Sequence, residues 1–186
     1  QTGGTIDVSG KDSIGIYAKD SSSSTTITGS TVNAKNGAVA FYADGSSGNE
    51  STITLNNVTS NIGDGGLLFF NYTGTLPGQV GKFNISGPTT VNILSEGVAF
   101  YNRGIIGSEA TFLNMINGNN LTLNMSSGSR LFVFDDPGMT QNLSSIPSLG
   151  GVPSISNSSG TATITVNGSG YKYMTADKAT LNIDQH

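Results

Sequence analysis

The chain has 186 residues, enough for one sizeable domain, of which only 11% are charged, with a net charge of −4 and no cysteine. The missing cysteines exclude a disulfide scaffold and thiolate metal sites. No Lys/Arg cluster offers itself to a nucleic-acid backbone, and no apolar run is long enough to span a bilayer as a helix. Gly, Ser, Thr and Asn dominate, yet polar Thr alternates with Ile, Val and Leu in short, regular groups, as strands prefer and disordered tracts do not. No signal peptide heads the chain, but it starts at Gln1 rather than Met, so an excised fragment is expected and the missing signal says nothing about export.

In chain order, "GKDSIGIYAKD" (10–20) is followed by "NGAVAFYAD", "DGGLLFFNY", "SEGVAFYNRG" and "SRLFVFDD". Aligned on their last ring, these runs put Tyr17, Tyr42, Phe70, Tyr101 and Phe134 in one column, at steps of 25, 28, 31 and 33 residues. One position upstream stand Ile16, Phe41, Phe69, Phe100 and Val133, and three upstream Ile14, Val39, Leu67, Val98 and Leu131. A second series, Val8, Val32, Val58 and Val91, precedes the runs, and a third, Ile27, Ile53 and Ile85, precedes three of the valines. Each period thus holds three short strand-like pieces, such as "TTIT", "STVNA" and "AVAFYA", joined by Gly/Ser/Asn/Asp turns. That is the pattern of an all-β, right-handed parallel β-helix, with three short strands per rung and each strand pairing with its equivalent about 4.8 Å away.

Strict in-out alternation predicts a core of Ile14, Ile16, Val39, Phe41, Leu67, Phe69, Val98, Phe100, Leu131 and Val133. It leaves the last-ring column unexplained. Tyr17, Tyr42, Phe70, Tyr101 and Phe134 either turn inwards where the strand ends at a bend, form a solvent-facing ladder suited to sugars or partner side chains, or are covered by an insertion. One chain closes each rung, so a monomer is expected, with edge strands at both ends open to some end-to-end association.

Insertions are expected at 45–50, 73–81 and 102–120, where "EATFLNMI" suits a helical turn or two, and above all at 137–160. Residues 1–186 otherwise read as a single β-helical segment. Loops leaving a rigid wall are where recognition tends to lie. Residues 135–160 are the first choice, with Asp135, Asp136, Met139, Leu143, Ile146, Leu149, Val152 and Ile155 stiffened by Pro147 and Pro153. The same apolar side chains alternatively fold back as a cover over Phe132 and Phe134.

Between Thr/Ile/Asn strands, "GKDSIGIYAKD" and its recurrences resemble the passenger regions of large type V autotransporter adhesins, those of the fusobacterial outer-membrane family above all. The likeness covers most of residues 5–135. It implies an exported β-helix stalk at the cell surface, anchored in the outer membrane through a separate C-terminal barrel. It also implies attachment to a protein or glycan receptor on host cells or other bacteria, and it supplies no residue-level site. The alternatives are a polysaccharide lyase or hydrolase on a β-helix and a phage-type fibre.

An enzyme of the first kind needs carboxylates gathered on neighbouring rungs. The columns beside Asp12 (Gly37, Gly65, Glu96, Ser129) and beside Asp44 (Asn71 or Tyr72, then Asn102 or Arg103) show none adjacent. Asp135–Asp136, before Pro-Gly, reads as a turn, with Ca²⁺ or ligand binding as the alternative. Arg103 and Arg130 read as rim charges, and the single histidine is His186. No catalytic activity, cofactor or metal is therefore expected. The many Asn-x-Ser/Thr triplets, at Asn57, Asn71, Asn84, Asn124 and Asn157 among others, read as asparagines that cap turns and ladder along stacked rungs.

Overall fold

The computed structural model describes residues 1–19, 24–46, 50–74, 79–104, 115–135, 140–142, 154–156, 162–177 and 180–182. The first turn is built by β1 (Thr5–Ser9), β2 (Ile14–Lys19) and β3 (Ser24–Thr28). The second follows as β4 (Thr31–Lys35), β5 (Val39–Asp44) and β6 (Ser51–Asn56), and the third as β7 (Val58–Ile62), β8 (Leu67–Tyr72) and β9 (Gly81–Ile85). The fourth comprises β10 (Thr89–Ile93), β11 (Val98–Arg103) and the start of β12 (Ile116–Met125), a strand that runs on into the next turn. Later come β13 (Arg130–Asp135), β14 (Thr140–Asn142), β15 (Ser154–Ser156), β16 (Ala162–Gly168), β17 (Lys172–Asp177) and β18 (Thr180–Asn182). Each of the first three turns pairs in parallel with the next along three walls, which makes a parallel β-helix of four turns. Wall two is the most regular, in the order β17-β13-β11-β8-β5-β2. No helix occurs among the described residues.

Short turns between walls one and two hold the stack in register. The amide of the fourth turn residue donates to the carbonyl of the first at Gly10–Ser13, Lys35–Ala38, Gly63–Gly66, Leu94–Gly97 and Ser126–Ser129. Asn36-Gly37 and Asp64-Gly65 have positive φ at both central residues (54° and 83°, 47° and 77°), which the primed turn requires and Asn-Gly and Asp-Gly tolerate best. The corner into wall one at β12 is made by Gly118, at φ 105°, where a Cβ would collide with the carbonyl of Ile85.

The interior follows a different rule from strict alternation. In wall two the paired register passes over Gly15, Ala40, Leu68, Ala99 and Leu131. The skip is matched in both partner strands, so the register runs on unbroken, and at the last four positions two successive residues face the core. Ala40 and Phe41, Leu68 and Phe69, Ala99 and Phe100, Leu131 and Phe132 all join one core cluster, with Ile16 packed at its edge. Of the residues expected inside, Val39 and Val98 are buried but stand outside that cluster, while Leu67 is half-buried and Ile14 is 37% exposed.

The fifth run is also one residue out of the expected alignment. Tyr101 pairs with Val133, Phe100 with Phe132 and Val98 with Arg130, so Phe134 belongs to the inner column of Asn102 and not to the aromatic column. Val133 is covered but outside the core cluster. The turn explains the slip: Gly128 occupies the third turn position of Asp12, Gly37, Gly65 and Glu96, where Ser129 was expected.

The valine and isoleucine series also divide. Val32 and Val91 share a column with Ile6, Ser60, Leu123 and Val166, whereas Val8 aligns with Ala34 and Val58 pairs with Thr89. Ile27 pairs with Leu55, and Leu55 with Ile85, while Ile53 pairs with Phe83. Of the expected insertion at 102–120, Ile116–Asn120 is strand. The suggested helical stretch otherwise lies mostly outside the described residues. Within 137–160, β14 pairs in parallel with β18 and β15 pairs antiparallel with β16, closing the outer edge of wall one.

Candidate functional site

The outer face of wall two carries the aromatic column. Tyr17 is 47% exposed, and Tyr42, Phe70 and Tyr101 are half-buried. Tyr17 meets Tyr42 edge-on at 4.9 Å between centroids. Tyr42 stacks on Phe70 at 4.4 Å and Phe70 on Tyr101 at 4.9 Å, with ring planes within 16° and 13°. Of the readings offered by the sequence, the outward ladder describes Tyr17, Tyr42, Phe70 and Tyr101, whereas Phe134 lies in the core. From Tyr42 to Tyr101 the rings lie face to face along the axis, so they occupy one another's faces and present mainly edges and hydroxyls to solvent.

A polar column flanks the rings: Lys19, Asp44, Tyr72, Arg103, Asp135 and Asp177 in backbone register. Asp44 is buried, and its carboxylate accepts hydrogen bonds from the Tyr17 hydroxyl at 3.2 Å and from the Ser46 amide and hydroxyl at 3.0 and 2.6 Å. Asp135 accepts from the Tyr101 hydroxyl at 3.4 Å. The Arg103 guanidinium lies 5.1 Å from the centre of the Tyr72 ring, a cation–π contact. Burial, and after it the negative charge of Asp44, push the Tyr42 phenol well above the ordinary tyrosine range. One expectation is corrected here. Asp135 and Asp177 are register neighbours, and Arg103 precedes them, so one column does carry adjacent aspartates. Asp136, Met139, Leu143, Ile146 and Leu149, proposed from the sequence as binding residues, lie outside the described residues, as do Val152 and both stiffening prolines.

Wall one holds residues that the sequence reading did not single out as a site. Its outer side repeats Thr-x-Asn in register at Thr31/Asn33, Thr59/Asn61, Thr90/Asn92, Thr122/Asn124 and Thr165/Asn167, preceded by Thr5/Asp7. The amides form one chain of hydrogen bonds. Asn33 Nδ2 donates to Asp7 Oδ1 at 2.8 Å, Asn61 Nδ2 to Asn33 Oδ1 at 3.0 Å and Asn92 Nδ2 to Asn61 Oδ1 at 2.9 Å. Asn124 then donates to Asn92, and Asn167 to Asn124, both at 3.0 Å. Asp7 fixes the polarity of the whole chain: an ionised carboxylate only accepts, so Asn33 must donate to it and offer its own oxygen onwards. Wall three has a shorter copy, Asn117 Nδ2 to Asn84 Oδ1 at 3.1 Å. The expectation that asparagines ladder is met at Asn84 and Asn124, and Asn57 takes a corner at φ 55°. The regular Thr-x-Asn spacing was the signal for a continuous face.

Among the described residues no group of three or more His, Cys, Asp or Glu is placed to hold a metal ion. A scan against protein-family models, a search of curated proteins and a search of solved structures each give no match.

Proposed function

We propose that the chain is a structural and adhesive segment of a bacterial cell-surface autotransporter. It is a non-catalytic part of a passenger held at the outer membrane by a barrel, and it attaches to a protein or glycan receptor on host cells or other bacteria. The observation that carries this reading is the closure of each early turn by a single chain. Such a stack lengthens only along its axis, by about 4.8 Å per turn, which suits reach away from a membrane, while its sides repeat a surface at every step. The sequence resemblance points the same way. Beads coated with the 186-residue chain should adhere saturably to epithelial cells or to bacteria and be displaced by the soluble chain. Adherence no better than that of an unrelated β-helix of equal charge contradicts the reading.

A second reading, a carbohydrate-active β-helix enzyme, draws support from the Arg103–Asp135–Asp177 column. Aspartates in adjacent backbone register, with an arginine one strand before them, are the residue types that acid/base work on a polysaccharide needs. Its test is product release from polygalacturonate or chondroitin, lost on Asp135→Asn. The adhesive reading expects no turnover.

A further inference from the structure

A groove runs beside the asparagine ladder. Its first stretch, about 480 Å³, lies along Asp7, Asn33, Asn61, Asp64 and Leu94, and its second, about 380 Å³, along Asn92, Asn124, Ser126 and Asn167. Asn61 and Leu94 line both stretches, so the two adjoin along the ladder. Five steps of about 4.8 Å give it a length of about 24 Å.

We propose that this groove is the binding site for an extended, neutral, β-linked polysaccharide laid along the axis of the solenoid; the proposal deepens the adhesive reading and rests on it. The chemistry is set by what the ladder leaves over. Each asparagine spends one amide N–H on its neighbour, and its second N–H remains for another acceptor at every rung. The row of donors repeats at the rung spacing, close to the advance of one sugar along such a polymer, so each sugar lies beside a donor, and alternate sugars, which share one orientation, meet it in the same way. Leu94, 49% exposed between the two stretches, supplies an apolar surface for the C–H face of a sugar ring. Charge selects against a polyanion. Among the described residues the only cation lining the groove is Lys35, near its start, and none lining the second stretch is charged. A concave, repeating groove whose few charges, Asp7, Lys35 and Asp64, are confined to its first stretch fits a linear neutral chain better than a flat protein face.

The test is titration of the 186-residue chain with β-1,4-linked hexamers of glucose and of N-acetylglucosamine, and with their dimers. One hexamer should bind at least about tenfold more tightly than its dimer, since each added sugar engages another rung. Leu94→Asp and Asn92→Ala should each weaken hexamer binding by about tenfold or more. Leu94 is exposed, so Leu94→Asp keeps the fold, which an unchanged melting temperature verifies. Equal affinity for dimer and hexamer, no binding of either hexamer, or full affinity in Leu94→Asp overturns the proposal. Bead adherence separates it from the reading it rests on. Adherence that survives Leu94→Asp overturns the groove and leaves the adhesive segment standing; adherence lost with Leu94→Asp supports both.

Discussion

Two aromatic ladders run along wall two, one on each side of the sheet. The inner one, Phe41–Phe69–Phe100–Phe132, has centroids 5.7, 5.5 and 5.3 Å apart and ring planes inclined by 35°, 17° and 20°. The outer one, Tyr17–Tyr42–Phe70–Tyr101, is closer at 4.9, 4.4 and 4.9 Å. The rings with more freedom therefore stack more closely, and the reason is constraint. An inner ring must also fit its neighbours across the core, as Phe69 does against Phe83 at 4.3 Å, whereas an outer ring answers mainly to the rings above and below it. Ring stacking thus says nothing about which side of a strand a residue faces, and area removed from water must account for the difference in stability.

The contrast is broken most directly by removing one ring from each ladder. Phe69→Ala opens a cavity among fully buried rings and should cost about 3–5 kcal/mol. Phe70→Ala, one residue along and half-buried, should cost about 1–2 kcal/mol, mostly lost stacking. Urea titration followed by circular dichroism checks both, and equal costs would erase the distinction between the ladders. Neighbouring polar residues in wall one sharpen the comparison by sign. Asn61→Ala interrupts the outer amide chain and should destabilise by about 1 kcal/mol. Ser60 faces inwards with a hydroxyl that has no partner. Ser60→Ala removes a buried orphan group and should stabilise by about 1 kcal/mol, read as a higher urea midpoint.

The smallest effect is in pH. Tyr42 has a raised folded-state pKa, so its contribution is fully present below the unfolded tyrosine value of about 10. It is lost as pH rises beyond that, because the unfolded chain sheds the proton first. Stability should therefore decline above about pH 10, and Tyr42→Phe should decline less over that range. An identical decline in both proteins would show that the outer ring is not desolvated.

The stacking of the chain was legible because like residues recur in register: Tyr17 over Tyr42 over Phe70 over Tyr101 follows from spacing alone. Facing was not legible in wall two. Ala40, Leu68, Ala99 and Leu131 are apolar on either side of a sheet, so no residue type announces that two neighbours turn inwards together. In "SRLFVFDD" both rings, Phe132 and Phe134, stand at one parity with Val133 between them, and only Gly128, aligned with Gly37 and Gly65 in the turn, reveals the one-residue shift. The asparagines were read as ladder formers, but a continuous chain of amides with Asp7 at its head depends on three-dimensional register, which uneven loop lengths conceal.

The central claim is that register: one closed turn per repeat, with each Thr-x-Asn directly above the last. It is tested most directly by cysteine pairing across adjacent rungs. Equivalent positions in neighbouring parallel strands lie about 4.8 Å apart, within disulfide reach. Asn33→Cys with Asn61→Cys should oxidise readily to an intrachain disulfide in the monomer. Asn33→Cys with Ser60→Cys, whose side chains point to opposite faces, should not. A disulfide in the second pair and none in the first would contradict the account.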